Sequence, residues 1–205
     1  MNRLAQFSTP AQIAQFELYL SMLVEYNRRF NLTAIVERDA VIVKHFLDSL
    51  TLLDFLPKEP IKLIDIGSGA GFPGAPLKIV RPDIELTMLD GTMKKILFLR
   101  ALIDALELKN ARAVHGRAEN LTKEFKGVFD VAVARAVADI GGLVKYAAPL
   151  LKKDGCFYAL KGGDPLSELK NAEKIIRKMN CEVSAVHYLS LYEYRRSIIE
   201  VRLIK

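Results

Sequence analysis

Lys62-Leu-Ile-Asp-Ile-Gly-Ser-Gly-Ala-Gly-Phe-Pro-Gly-Ala-Pro-Leu77 decides the fold: an apolar run stops abruptly in Gly67, Gly69 and Gly71. The run reads as a buried strand that opens into a tight turn and then a helix. Glycines there let the backbone approach a ligand more closely than any side chain allows. A second apolar run, Ile84 to Leu89, ends in Asp90, nineteen residues after Gly71. An acid at the tip of the next strand is placed to accept hydrogen bonds from a ribose diol. The pair of signals describes a nucleoside-cofactor site in a doubly wound α/β domain. A tight turn with no ligand is the competing reading, but it leaves Asp90 without a purpose.

Outward from that turn, 205 residues with 51% apolar content are enough for one domain with a sizeable core and a small extension. No apolar run approaches the roughly 18 residues of a membrane helix. The first residues, Met1-Asn-Arg-Leu-Ala-Gln-Phe-Ser8, carry no signal-peptide core, and Cys156 and Cys181 lack metal-ligand spacing. A cytoplasmic protein without membrane or metal partners is expected. The net charge is +6, spread unevenly: residues 1–60 hold six Lys/Arg against seven Asp/Glu, leaving twenty-four against seventeen for residues 61–205. That +7 excess suggests a polyanionic partner, RNA first, although solubility alone accounts for many basic proteins.

Residues 1–60 read as a helical N-terminal extension, too short for a core of its own, and 61–205 as the cofactor domain. Thr9-Pro10 starts one helix, which ends near Arg28-Arg29. A second runs from a cap at Asp39 to Leu56, closed by Pro57 and Pro60. Strands are expected at 61–66, 84–89, 111–115, 129–134, 155–160, 182–188 and 197–204, with helices at 74–80, 92–107, 139–150 and 165–179. This alternation predicts a largely parallel, two-sided sheet. Only Leu189 to Arg196 separate the last two strands, too few residues for a crossover helix, so the pair forms an antiparallel hairpin. Five parallel strands ending in such a hairpin resemble the Rossmann-like fold of S-adenosylmethionine-dependent methyltransferases.

Gly69-Ala-Gly71-Phe-Pro-Gly74 also satisfies GxGxxG, which keeps a nicotinamide-dependent oxidoreductase open. That fingerprint needs a helix starting inside the glycines and aimed at a pyrophosphate. Pro73 and Pro76 interrupt such a start and remove donors. S-adenosylmethionine carries a sulfonium and no phosphate, and needs no such cradle. A non-catalytic adenosyl-binding regulator of RNA is the third reading. After the third strand comes Gly116-Arg-Ala-Glu-Asn120, the corner that borders the adenine in methyltransferases. There the Ala118 backbone can meet the adenine edge and Glu119 can accept from its amino group; a solvated helix-capping Glu is the bland alternative.

The segments Gly67 to Leu77, Asp90 with Lys94-Lys95 and Phe98-Leu99, Arg117-Ala-Glu119, Ala134-Arg-Ala136 and Tyr158-Ala-Leu-Lys-Gly162 together resemble the bacterial ribosomal RNA small subunit methyltransferase G family, also called glucose-inhibited division protein B. Phe30-Asn-Leu-Thr33 and His45-Phe-Leu-Asp-Ser-Leu50 match as well, so the likeness covers nearly the whole chain. Gly91 departs from it, where relatives often carry a small hydroxyl residue. The resemblance implies methyl transfer from S-adenosylmethionine to N7 of one guanine in 16S ribosomal RNA, free or in the small subunit. It also implies that Gly67, Phe72, Ala118, Glu119 and Arg135 line the cofactor pocket.

Arg135 stands at the carboxyl end of the fourth strand, at the crevice where ligands of such sheets bind, and is the candidate catalytic residue. A structural ion pair with Asp65 or Asp139 is its bland alternative. His45, Asp48 and Ser49 share one helix face. No GxSxG elbow accompanies them, so a polar bridge at the RNA-facing mouth is preferred to a hydrolytic triad. Lys161, at the end of the fifth strand, and Arg195-Arg196, in the hairpin, are expected RNA phosphate contacts or else solvated charges. The sequence after strand four, Arg135-Ala-Val-Ala138, lacks the Asp/Asn-Pro-Pro-aromatic signature of amino-group methyltransferases. No cysteine lies at the crevice for cytosine C5 chemistry. The missing Asp/Asn-Pro-Pro-aromatic signature favours a ring nitrogen.

Overall fold

A computed structural model of the chain describes residues 1–121, 125–135 and 138–204. A seven-stranded sheet is ordered β3-β2-β1-β4-β5-β7-β6. Its strands are β1 Lys62–Ile66, β2 Glu85–Asp90, β3 Ala111–His115, β4 Phe129–Arg135, β5 Leu151–Gly162, β6 Cys181–Leu191 and β7 Tyr194–Leu203. β1 to β5 pair in parallel, and β7 runs antiparallel to both β5 and β6. The helices are α1 Pro10–Phe30, α2 Arg38–Val41, α3 Asp48–Leu50, α4 Gly74–Val80, α5 Met93–Ala105, α6 Ile140–Ala147 and α7 Leu166–Lys178. Alternation along β4 shows how the sheet separates two apolar layers. Val131 and Val133 pack with α1, α4 and α5, whereas Ala132 and Ala134 pack with α6 and α7. Among the described residues no helix is long and apolar enough to cross a membrane.

Helix α1 is fastened at its N-terminal end, ahead of its buried stripe. Thr9 and Gln12 form a reciprocal capping box. The Gln12 amide also donates to the Ile79 carbonyl, at 2.7 Å, and Gln15 donates to that of Leu106, at 2.8 Å. These side chains satisfy the orphan carbonyls at the ends of α4 and α5. Phe16, Tyr19, Leu20 and Leu23 bury the face that follows, in the same core as β1 and β2.

Three expectations need correction. The second helix starts on a Glu37 cap, not Asp39, and it is not one α-helix. Ile42–Leu47 is wound as a π-helix between α2 and α3, and Thr51–Asp54 is a 3₁₀ turn. β5 begins at Leu151: Phe129 pairs with Leu151 and Val131 with Cys156, so Lys152 to Gly155 form a bulge that reads as a turn in sequence. The hairpin loop shrinks to Tyr192-Glu193, which puts Arg195 and Arg196 on β7. Ala136 and Val137, part of the segment after strand four, lie outside the described residues.

Candidate active site

The carboxyl ends of β3, β2, β1 and β4 open on a cavity of about 600 Å³. All seven residues expected to hold the cofactor line it: Gly67, Gly69, Phe72, Asp90, Ala118, Glu119 and Arg135. Strand order arranges them across the crevice. Ala118 and Glu119 follow β3, Asp90 ends β2, the glycine turn follows β1, and Arg135 ends β4. Gly69 has φ +60°, and a Cβ there would meet only the Gly67 carbonyl, at 3.9 Å. The turn is thus left-handed and open to the cavity, which suits a ligand lying on bare backbone. Gly74 serves packing instead, since a Cβ would come within 2.9 Å of Asp65 Oδ2.

Asp90 is buried. Its Oδ2 accepts from the Gly69 amide at 3.0 Å and lies 3.4 Å from Lys95 Nζ, and its Oδ1 accepts from Thr92 at 2.9 Å. Oδ1 keeps a second lone pair for a ligand hydroxyl. Glu119 is exposed, 4.0 Å from Arg117. Polar and apolar lining alternate as a nucleoside with an amino-acid tail requires, so these residues fit S-adenosylmethionine.

Arg135 finds a partner that the sequence did not suggest. Its Nη1 donates to Asp48 Oδ2 and to the Lys44 carbonyl, both at 3.0 Å, and its Nη2 meets His45 Nδ1 at 3.0 Å. Neither Asp65 nor Asp139 is its ion partner. In this π-wound segment Arg135 takes the Lys44 carbonyl, and Ser49 Oγ donates to the His45 carbonyl four residues back, at 2.6 Å. Ser49 is therefore no nucleophile, and His45 and Asp48 do bridge to β4. The His45 ring stacks on Phe72 with centroids 4.4 Å apart, and Phe72 stacks in turn on Tyr19. Burial, aided by the Arg135 charge, pushes the His45 imidazole down to about 3.

A second cavity, of about 590 Å³, shares His45 and Arg135 with the first. Lys44, Asp48, Lys161, Tyr194, Arg195 and Arg196 also line it. Here two of the expected phosphate contacts have partners within the fold. Lys161 Nζ donates to Glu168, at 2.6 Å, and to the Ala138 carbonyl, at 2.8 Å. Arg196 grips Asp48 through Nε and Nη2, at 2.7 and 2.9 Å. Both cations are engaged within the fold, whereas Arg195 is exposed. Lys44 Nζ lies over the Tyr194 ring, 4.3 Å from its centroid. Sequence reasoning also missed Thr33, Lys95 and Tyr146, which line the first cavity. The family likeness touched Thr33, in Phe30-Asn-Leu-Thr33, and Lys95, beside Asp90, without giving either a role.

The family described as "rRNA small subunit methyltransferase G" matches residues 12–199. The chain is 42% identical over 182 residues to the "Ribosomal RNA small subunit methyltransferase G" of Thermoanaerobacter sp. (strain X514), covering 87% of this chain and 76% of that relative. It is 40% identical over 202 residues to the Bacillus subtilis (strain 168) protein of the same name, covering 96% and 84%. Among solved structures, an Aquifex aeolicus SAM-dependent methyltransferase superposes with TM-score 0.62 at 16% identity, covering 82% of this chain and 94% of that one. M. jannaschii TYW2 in complex with AdoMet gives TM-score 0.62 at 14% identity, covering 83% and 80%. At such identities the likeness shows the Rossmann-like fold.

Proposed function

The chain belongs to the rRNA small subunit methyltransferase G family, and on that premise we propose that it transfers a methyl group from S-adenosylmethionine to N7 of one guanine of 16S ribosomal RNA. One observation carries the reading beyond the family: the cofactor cavity and the second cavity meet at a wall made of His45 and Arg135. A cofactor in the first and a base in the second would face each other there.

S-adenosylmethionine supplies an electrophilic methyl on a sulfonium. Asp90 would hold its ribose, Ala118 and Glu119 its adenine, and the glycine turn its tail. Guanine N7 offers an in-plane lone pair and carries no proton, so no general base is required. The site agrees. His45 stays neutral well below neutral pH, and its Nδ1 already faces an Arg135 N–H. The Asp48 carboxylate takes three guanidinium N–H groups. Arg135 then acts by holding donor and acceptor in line, in a cleft that sheds water.

Outside, Arg195 and Lys44, with Tyr194 beside them, would meet the RNA backbone and an unstacked base. Working on ribosomal RNA, the enzyme acts in the cytoplasm. A nicotinamide oxidoreductase is not favoured, because the helix after the glycines begins only at Gly74, beyond Pro73.

Single-turnover transfer of labelled methyl to 16S RNA tests the proposal. The rate should be nearly flat across neutral pH. A limb rising tenfold per pH unit, abolished by replacing one His, Glu or Lys, would point to general-base catalysis and another target atom.

A further inference from the structure

Beside His45 one hydroxyl hydrogen has no acceptor among the described residues, and it belongs to Thr33. Arg135 has donors only, so at 3.0 Å its Nη2–H must point at a bare His45 Nδ1. The Lys44 carbonyl, 3.1 Å from that nitrogen, is already served by Arg135 Nη1. The neutral ring therefore carries its hydrogen on Nε2, which lies 2.9 Å from Thr33 Oγ1 and donates to it. The Ile35 amide donates to the same oxygen, at 3.1 Å. Both Thr33 lone pairs are thus occupied, and its hydroxyl hydrogen has no acceptor among the described residues. Thr33 is only partly buried and lines the cofactor cavity beside His45.

Strand order says which part of a cofactor lies there. The adenine corner follows β3 and the ribose acid ends β2, so the β1–β4 end is left for the amino-acid tail. Thr33 sits at that end, tied to Arg135 through His45. A tail carboxylate takes several donors, and three of the five N–H groups of Arg135 are engaged by Asp48, Lys44 and His45.

We propose that Thr33 is a cofactor-binding residue, donating its hydroxyl hydrogen to the carboxylate of S-adenosylmethionine, with His45 as the positioning residue that aims it. This inference rests on the S-adenosylmethionine reading of the first cavity. It also gives His45 a part distinct from an RNA contact.

The test is calorimetric binding of S-adenosylmethionine and of its decarboxylated form to the wild type, Thr33→Val and Thr33→Ser. A hydrogen bond to a charged group corresponds to roughly 10- to 100-fold in affinity. Thr33→Val should lose about that factor for S-adenosylmethionine and bind the decarboxylated form within twofold of wild type, which also reports an intact fold. Thr33→Ser should bind both like wild type. An equal loss for both ligands would make Thr33 a shape determinant and overturn the proposal, as would no loss for either. A wild type that binds neither ligand would instead sink the cofactor reading itself.

Discussion

Removing the Asp48 carboxylate should destabilise the protein far more than removing a surface acid. The side chain is 2% exposed and accepts three N–H groups: Arg135 Nη1 at 3.0 Å, Arg196 Nε at 2.7 Å and Arg196 Nη2 at 2.9 Å. Taking one partner from a buried ion pair costs about 3–5 kcal/mol, because the charge left behind is uncompensated. The Arg196 side chain is 27% exposed, so water can recover part of that loss. Asp48→Ala should therefore cost about 2–4 kcal/mol in equilibrium urea unfolding, with the denaturant slope unchanged. Asp48→Asn keeps the shape and one acceptor oxygen; at least half of the loss should persist, because the charge is gone. The Asp48→Ala/Arg196→Ala double variant should lose less than the sum of the singles. A single-variant loss below about 1 kcal/mol, or strict additivity, would mean that the clasp is an ordinary surface pair.

Three further outcomes follow from the site. Asp90→Ala should weaken S-adenosylmethionine binding by roughly 1–3 kcal/mol, the cost of stranding hydrogen-bonding groups; unchanged calorimetric affinity would remove Asp90 from the ribose. Burial pushes the Asp65 carboxyl up to about 7, so between its unfolded value of 3.8 and that value the native state holds a proton which the unfolded chain releases. Asp65 therefore makes stability fall as pH rises from about 4 to 7, and Asp65→Asn should flatten that fall in unfolding experiments at stepped pH; a parallel curve would contradict the assignment. Arg195→Glu should weaken RNA binding and reduce its salt dependence, leaving S-adenosylmethionine affinity alone; an RNA affinity indifferent to both salt and the charge reversal would take the hairpin off the RNA face.

What was legible in the sequence, and what was not, divides along sequence distance. The glycine turn, Asp90 and the hairpin are local signals, and the largely parallel sheet followed from the alternation of strands and helices. The π-wound segment was hidden because His45, Asp48 and Ser49 share a face at i, i+3 and i+4 in a plain helix. The winding is tied to a carbonyl that Arg135 claims from 91 positions away. Arg135 was correctly placed at the crevice, but its partner could not be chosen among the acids, since nothing local separates Asp48 from Asp65 or Asp139. Lys161 and Arg196 read as free cations for the same reason: Glu168 and Asp48 reach them only in the fold. The missed Glu37 cap is a smaller case, two acids two residues apart offering the same chemistry.

The central claim is that one guanine N7 of 16S RNA receives the methyl. The most direct measurement treats small-subunit RNA with the enzyme and labelled S-adenosylmethionine, then locates the label by reductive strand cleavage, which acts at N7-methylguanosine, and by nucleoside analysis. One cleavage site coincident with the label is expected, and no label in RNA treated with Arg135→Ala at the same enzyme level. Label on an amino group, on another base or at no single position would contradict the claim.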